Sequence, residues 1–427
     1  MKNSTIANSG GAIPYSPQRS LLPCPASGRT INLPPFSSWL LLLMVMAKPL
    51  ADAFYEQESV KYLYMLLLLS GALFAKYGQA IQWTKPDPRN RSLLALIWLV
   101  ILYFVFQLVL ALTYGGSLSE IFKIISPFVF FVLVSYAADR WLNHALAIGS
   151  ALTIMANALL LPFDYGWAMW GSVHTFKGYY FFKTDLAYAL SFSVLMYAFY
   201  SRYRTTRTLV LLTLIAAVQV MLANSRLNYL SFFCVVMFMA IKGGVSQRTI
   251  VKYSLLLSIV AAVTFVFYDP TRMLSFDISN EAAFTQGRSV TWKHLLEAQG
   301  DSSLAQWTFG RGAFADLILS ADFSGIGKTA HNAHNEALHL LFTQGICGAV
   351  LYIALWVKMF RMSHTSNMPT WVHGTGALAL FIFMLQGMTA VVSSYASKTW
   401  PLVMILLALR TLGCRENERK QVDTDLI

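Results

Sequence analysis

The sequence predicts an all-α polytopic membrane protein with about twelve transmembrane helices, and three observations carry that expectation. Of its 427 residues, 56% are hydrophobic and only 12% are charged, where a soluble domain carries roughly a quarter charged residues. Aromatic residues reach 14%, as expected when Trp, Tyr and Phe populate both bilayer interfaces. The apolar residues are gathered into runs of about twenty, the length a helix needs to cross the hydrocarbon core.

Taken in order, the runs begin near Phe36, Val60, Ser92, Glu120, Leu142, Asp185, Thr208, Leu227 and Val251. After a long polar interval, three more begin near Glu336, Trp371 and Lys398. Residues 1–35 are polar, rich in Ser, Pro and Gly, and lack a signal-peptide core, so a disordered cytoplasmic tail is expected there. The expected division is spans one to nine over 36–268, a loop or cap over 269–335, spans ten to twelve over 336–413, and a second cytoplasmic tail over 414–427. The interval 269–335 is far too long for a hairpin connection. Its apolar residues, among them Trp292, Leu295, Trp307 and Leu317, predict a small cap of amphipathic helices.

Orientation follows from the short gaps, because positive charge favours the cytoplasmic side. One alternate set carries Lys76, Lys85, Arg89 and Arg91, then Arg140, then Arg202, Arg204 and Arg207, then Lys242, Arg248 and Lys252, then Lys358 and Arg361. The intervening gaps are poorer in basic residues. Both termini are therefore expected in the cytoplasm and the long loop outside. The net charge of +12 is spent on this pattern, so no nucleic-acid partner is expected. Cys24, Cys234, Cys347 and Cys414 are widely separated and form neither a metal-ligand spacing nor a disulfide framework. Neither a Walker loop nor a nucleophile-elbow serine motif occurs.

The densest polar cluster is Thr329-Ala330-His331-Asn332-Ala333-His334-Asn335-Glu336 at the start of the tenth run. On a continuous helix, His334, Leu338, Leu341, Gly345 and Gly348 would share one face. Gly345 and Gly348 would then let another helix approach closely. A lone His at a helix start is more often a structural hydrogen-bonding residue. Here, however, it comes with arginines at Arg226 and Arg288 on the same expected side. Arg226 has its own plain reading, a charge snorkelling at a span end. His331, His334 and His339, at spacings of three and five, do not fall well on one face, so no metal is expected.

His334-Asn335, then nine residues, then Gly345 and Gly348, resembles the signature of the O-antigen ligase and O-antigen polymerase superfamily. Counting from His331-Asn332 instead lands on Phe342, so the spacing selects His334. Leu222-Ala223-Asn224-Ser225-Arg226 resembles the family's Ser-Arg element, and Gly287-Arg288…Trp292 its Gly-Arg…Trp element. The segment around Lys183-Thr184-Asp185 is similar to one that often reads Lys-Asn in the polymerase branch, with Thr184 in place of that Asn. The likeness covers roughly residues 170–360.

The resemblance implies a fold like that of the C-type glycosyltransferases, seated in a bacterial inner membrane with its site facing the periplasm. It implies a glycan donor linked to undecaprenyl diphosphate, an acceptor that is a glycan or lipid A-core, and no cofactor or metal. His334 is the expected catalytic base for the acceptor hydroxyl. Arg226 and Arg288 are expected to hold the donor diphosphate, because guanidinium binds phosphate oxygens bidentately. Asn335, Lys183, Arg311 and His331 are candidate supporting residues. The ligase and polymerase readings stay open, and a polysaccharide or lipid transporter is the alternative from another class. Transporters, though, concentrate ionisable residues near the midplane, whereas these lie at one surface.

Overall fold

The computed structural model describes residues 36–54, 57–78, 88–116, 118–135, 140–170, 173–243, 288–313, 315–322, 333–364, 368–393 and 396–425. The expected tail over 1–35, the run near Val251, and Gly287, His331 and Asn332 lie outside them. The fold is mostly helical, as the sequence predicts. The first six helices are α1 (Phe36–Met46), α2 (Lys48–Ala53), α3 (Glu58–Gly78), α4 (Pro88–Tyr114), α5 (Leu118–Val134) and α6 (Arg140–Ala158). A hairpin of β1 (Trp167–Trp170) and β2 (Val173–Phe176) follows, antiparallel, with Trp167 opposite Phe176. Next come α7 (Lys183–Tyr200), α8 (Arg207–Leu222) and α9 (Arg226–Lys242), then three short helices, α10 (Arg288–Gly300), α11 (Leu304–Phe309) and α12 (Ala315–Asp322). The chain closes with α13 (Glu336–Ser363), α14 (Thr370–Gly387) and α15 (Ala396–Asp425).

Helices thus begin within a few residues of every expected run among the described residues. Two of them, over Arg91–Tyr114 and Glu336–Ser363, are long and apolar enough by themselves to cross a bilayer. The hairpin departs from an all-α chain. Its strands flank Gly171-Ser172 in Trp-Ala-Met-Trp…Val-His-Thr-Phe, a β-type signal that the aromatic richness of the region hides.

Burial explains the layering. On α7, residues 185–196 are buried all round, as are residues 402–409 of α15, so these two helices form the centre of the bundle. On α4 the apolar residues divide instead. Leu93, Leu96, Val100 and Tyr103 face inward, while Trp98, Ile101, Leu102, Val105, Val109 and Leu112 are exposed, Leu112 by 78%. A helix that is apolar on both its buried and its exposed faces suits hydrocarbon, where water would penalise so large a patch.

The starts of α7, α9, α13 and α15 lie at one end of the bundle with the finishes of α4, α6 and α14. The Tyr114 hydroxyl donates to the Gly310 carbonyl at 3.3 Å, the Tyr179 amide to Asn157 Oδ1 at 3.1 Å, and Asn335 Nδ2 to the Met388 carbonyl at 3.5 Å. We call this the site end. At the opposite end Arg410 donates to the carbonyls of Ser135 and Met362, capping the last turns of α5 and α13. A second, small core at the site end joins Leu295, Ala333 and Phe342 with Ala298, Ala315, Leu319 and Leu338, so α10 and α12 pack on the first turns of α13.

Candidate functional site

The helix α13 begins at Glu336, and His334 stands in the turn before it with φ of 47°. The expectation that His334, Leu338, Leu341, Gly345 and Gly348 share one helical face is therefore corrected at both ends. His334 is not helical, because Asn335 is the N-cap: its extended backbone starts the helix, and its side-chain oxygen accepts from the Leu338 amide at 3.1 Å. At the other end the helix breaks at Gly345, with φ 63° and ψ −170°. A Cβ there would sit 2.5 Å from the Gly310 amide nitrogen and 2.6 Å from that of Phe309. The close approach that Gly345 allows is thus to the last residues of α11 and the glycine that follows them, not to another span. Gly348 does face a long helix: its Cβ would lie 2.7 Å from the Phe106 ring of α4.

The corner that carries His334 is held from several directions. The indole N–H of Trp292 on α10 donates to the Ala333 carbonyl at 2.7 Å. The Ala333 amide donates to Asp316 Oδ2 on α12 at 2.9 Å, and the same oxygen lies 2.8 Å from His339 Nδ1 on α13. Burial pushes the Asp316 carboxyl upward, but the His339 imidazole and the Ala333 and Leu317 amides outweigh it and hold Asp316 below the usual carboxylate range. From the bundle side, the Glu336 carboxylate accepts the Val392 amide at 2.6 Å and the Ser393 amide at 3.2 Å, tying α13 to the connection between α14 and α15.

A second cluster gathers positive charge. Asn224, with φ of 48°, turns the chain tightly between α8 and α9, and Asn and Asp are the non-glycine residues most at ease there. Asn228 then donates to Ser225 Oγ at 2.8 Å and to the Thr184 carbonyl at 3.2 Å, clamping the start of α9 onto the start of α7. This brings the half-buried Lys183 and the exposed Arg226 together, just beyond the apolar run that begins at Asp185. Burial first, and the Arg226 charge second, lower the Lys183 ammonium to about 8. Two cations held close enough to repel form a site that an anion would relieve.

The two clusters are linked through buried polar contacts. Asp185 pairs with Lys398 at 3.4 Å, both nearly inaccessible. Thr399 donates to the Val392 carbonyl at 2.9 Å, and the Val392 amide reaches Glu336, next to Asn335 and His334. Breaking a buried pair such as Asp185–Lys398 by removing one partner costs about 3–5 kcal/mol.

The remaining expected site residues fall as follows. Arg288 opens α10 one turn before Trp292, so the two share a helix face, and burial lowers its guanidinium from the ordinary value. Arg311 is engaged in holding the short helices together. Its Nη2 donates to the Ala298 carbonyl and to Ser302 Oγ at 2.8 and 2.7 Å, and its guanidinium lies 4.8 Å from the Phe342 ring centre. His331 lies outside the described residues. Sequence reasoning passed over Asp316 altogether and read Glu336 only as the start of a span. Among the described residues no three His, Cys, Asp or Glu side chains converge as a metal site.

Residues 209–353 match the O-antigen ligase family. The matched stretch runs from α8 into α13 and contains Arg226, Arg288 and His334. Members of the family are O-antigen ligases and polymerases, glycosyltransferase-like membrane enzymes that work on lipid-linked glycans. No curated protein matches the chain.

Proposed function

We propose that the chain transfers a glycan from undecaprenyl diphosphate to an acceptor hydroxyl at the periplasmic face of a bacterial inner membrane. The observation that carries this reading is the Lys183–Arg226 cation pair, built at the same end of the bundle as His334. An anionic leaving group and a hydroxyl to be deprotonated call for these two kinds of side chain. His334 takes the proton as the acceptor oxygen attacks the anomeric carbon. The bond from that carbon to the diphosphate breaks, and undecaprenyl diphosphate leaves with its charge balanced by Arg226, Arg288 and Lys183. Direct displacement inverts the sugar carbon and requires neither metal nor nucleotide. Twelve spans with both termini in the cytoplasm put the site end in the periplasm, as the alternation of basic gaps requires.

The ligase reading has lipid A-core as acceptor, and the chain's length and twelve expected spans suit it. A polymerase reading, in which a second lipid-linked repeat unit accepts the chain, draws support from the likeness of the Lys183 segment to the polymerase branch. The test is the length-resolved lipid-linked glycan profile of a strain lacking the gene, complemented with wild type or His334→Ala. Accumulated polymer on its carrier, with bare lipid A-core, identifies a ligase, and accumulated single units a polymerase. Complementation by an inserted, abundant His334→Ala protein would refute His334 as the base, and an unchanged profile in the deletion strain would refute transfer itself.

A further inference from the structure

The backbone of residue 333 is gripped on both of its polar groups by side chains from two different helices. Ala333 is fully buried. Its N–H is taken by Asp316 at 2.9 Å and its carbonyl by the Trp292 indole at 2.7 Å. The Ala333 carbonyl and the His334 nitrogen belong to one rigid peptide plane. Fixing that carbonyl therefore fixes the bond about which the φ of His334 turns. On the far side the Asn335 cap sets where the helix starts. His334 itself sits at φ 47°, sparsely populated by residues with a side chain, and such conformations persist where the surroundings over-determine them. The ionised Asp316 side chain suits this task, since a carboxylate makes the stronger hydrogen bond to an amide.

We infer that Asp316 is a positioning residue for His334, acting through the Ala333 amide, with Trp292 as its counterpart on the Ala333 carbonyl. The inference rests on the reading of His334 as the base. It competes with a rival drawn from the same contacts, in which Asp316 orients His339 and His339 is the base. His339, however, is only 7% exposed and lies in the second turn of α13, beneath the corner that Asp316 also holds. Asp316 thus ties the helix to the residue before His334 with a single oxygen.

The test uses the full chain in nanodiscs, with an undecaprenyl diphosphate-linked glycan isolated from the host as donor and lipid A-core as acceptor. Turnover and donor KM are measured per folded, monodisperse protein. Asp316→Ala is expected to lower kcat about 10²-fold with donor KM within about twofold, because a base displaced by an ångström loses that much. Asp316→Asn, whose amide oxygen still accepts the Ala333 N–H, recovers kcat to within about fivefold. Trp292→Phe, which removes one hydrogen bond and little volume, lowers kcat about tenfold and decides the matter if Asp316→Ala does not fold. His339→Gln keeps a donor toward Asp316 without an imidazole and stays within about threefold of wild type. Wild-type kcat in Trp292→Phe and in any folded Asp316→Ala, beside an inactive His334→Ala, overturns this inference alone. An inactive, folded His339→Gln overturns it in favour of the rival, and an active His334→Ala overturns the reading beneath it.

Discussion

Replacing Gly345 with alanine tests whether the break in α13 is built by backbone contact. Gly345 occupies a region of φ and ψ that is open essentially to glycine alone, and a residue with a side chain pays about 1–3 kcal/mol to enter it. The added methyl also lands 2.5–2.6 Å from Gly310 N, Phe309 N and Thr308 C, all main-chain atoms with little freedom to yield. Overpacking of that kind costs about 1–3 kcal/mol more. The sum is about 4 kcal/mol, well above the roughly 1 kcal/mol of helix propensity that alanine gains over glycine. At about 2 °C per kcal/mol, purified Gly345→Ala in detergent should unfold about 8 °C lower, followed by tryptophan fluorescence. Gly300→Ala is the control. It lies at the end of α10, where an added methyl meets nothing within 4 Å. A Gly345→Ala protein as stable as wild type would refute the reasoning, as would a Gly300→Ala loss of equal size.

Three further outcomes follow from the site. The Lys183 ammonium, lowered to about 8, is charged below that pH and loses its charge above it. Donor KM should therefore rise as pH passes from 7 to 9, and Lys183→Arg, which stays charged, should flatten that rise; equal pH profiles would exclude Lys183 from donor binding. The same shift sets the sign for stability: a lysine whose folded value lies below its unfolded 10.5 makes the fold more stable as pH rises from about 8 toward 10.5. Glu336→Gln weakens two charge-assisted bonds to the Val392 and Ser393 amides, so unfolding should become easier by about 2–3 kcal/mol, and unchanged thermal unfolding would show that the tie carries no load. Asn335→Ala removes the α13 cap at about 1 kcal/mol while Asn335→Ser keeps it, a ranking that thermal unfolding of the two proteins checks.

The helices were legible in the sequence because each apolar run declares itself without reference to the rest of the chain. The basic residues that close the runs, such as Lys76 and Lys242, mark helix ends for the same local reason. His334 was singled out by its spacing to Gly345 and Gly348 and Arg226 by its likeness to a Ser-Arg element, while the joining of Lys183 to Arg226 depends on Asn228 reaching the Thr184 carbonyl, forty-four residues away. What was not legible depends on distant partners. Gly345 followed by Gly348 reads as a helix-packing pair, and nothing local says that Gly310, at φ 83°, will press into the gap and break the helix. Asp316 reads as an ordinary acidic residue in the first turn of a short helix, where it favours the dipole. Its partners Ala333 and His339 are seventeen and twenty-three residues on. The face drawn through His334 failed because a helical wheel assumes the helix has already begun, and Asn335 delays it.

The break at Gly345 also sets where this protein can be cut and recombined. Above it, residues 336–344 lend Leu338 and Phe342 to the core shared with α10 and α12, and Arg311 and Gly312 donate to the carbonyls of Phe342 and Thr343. Below it, residues 346–363 pack with the long helices. A chimera that grafts the loop of a relative at residue 335 would therefore splice through the middle of a folded unit, pairing one protein's α12 with another's α13. A graft that runs on to Gly345 would carry the packed first turns of α13 across with α10 and α12, so the natural seam for exchanging these helices lies inside a helix, nine residues past its start.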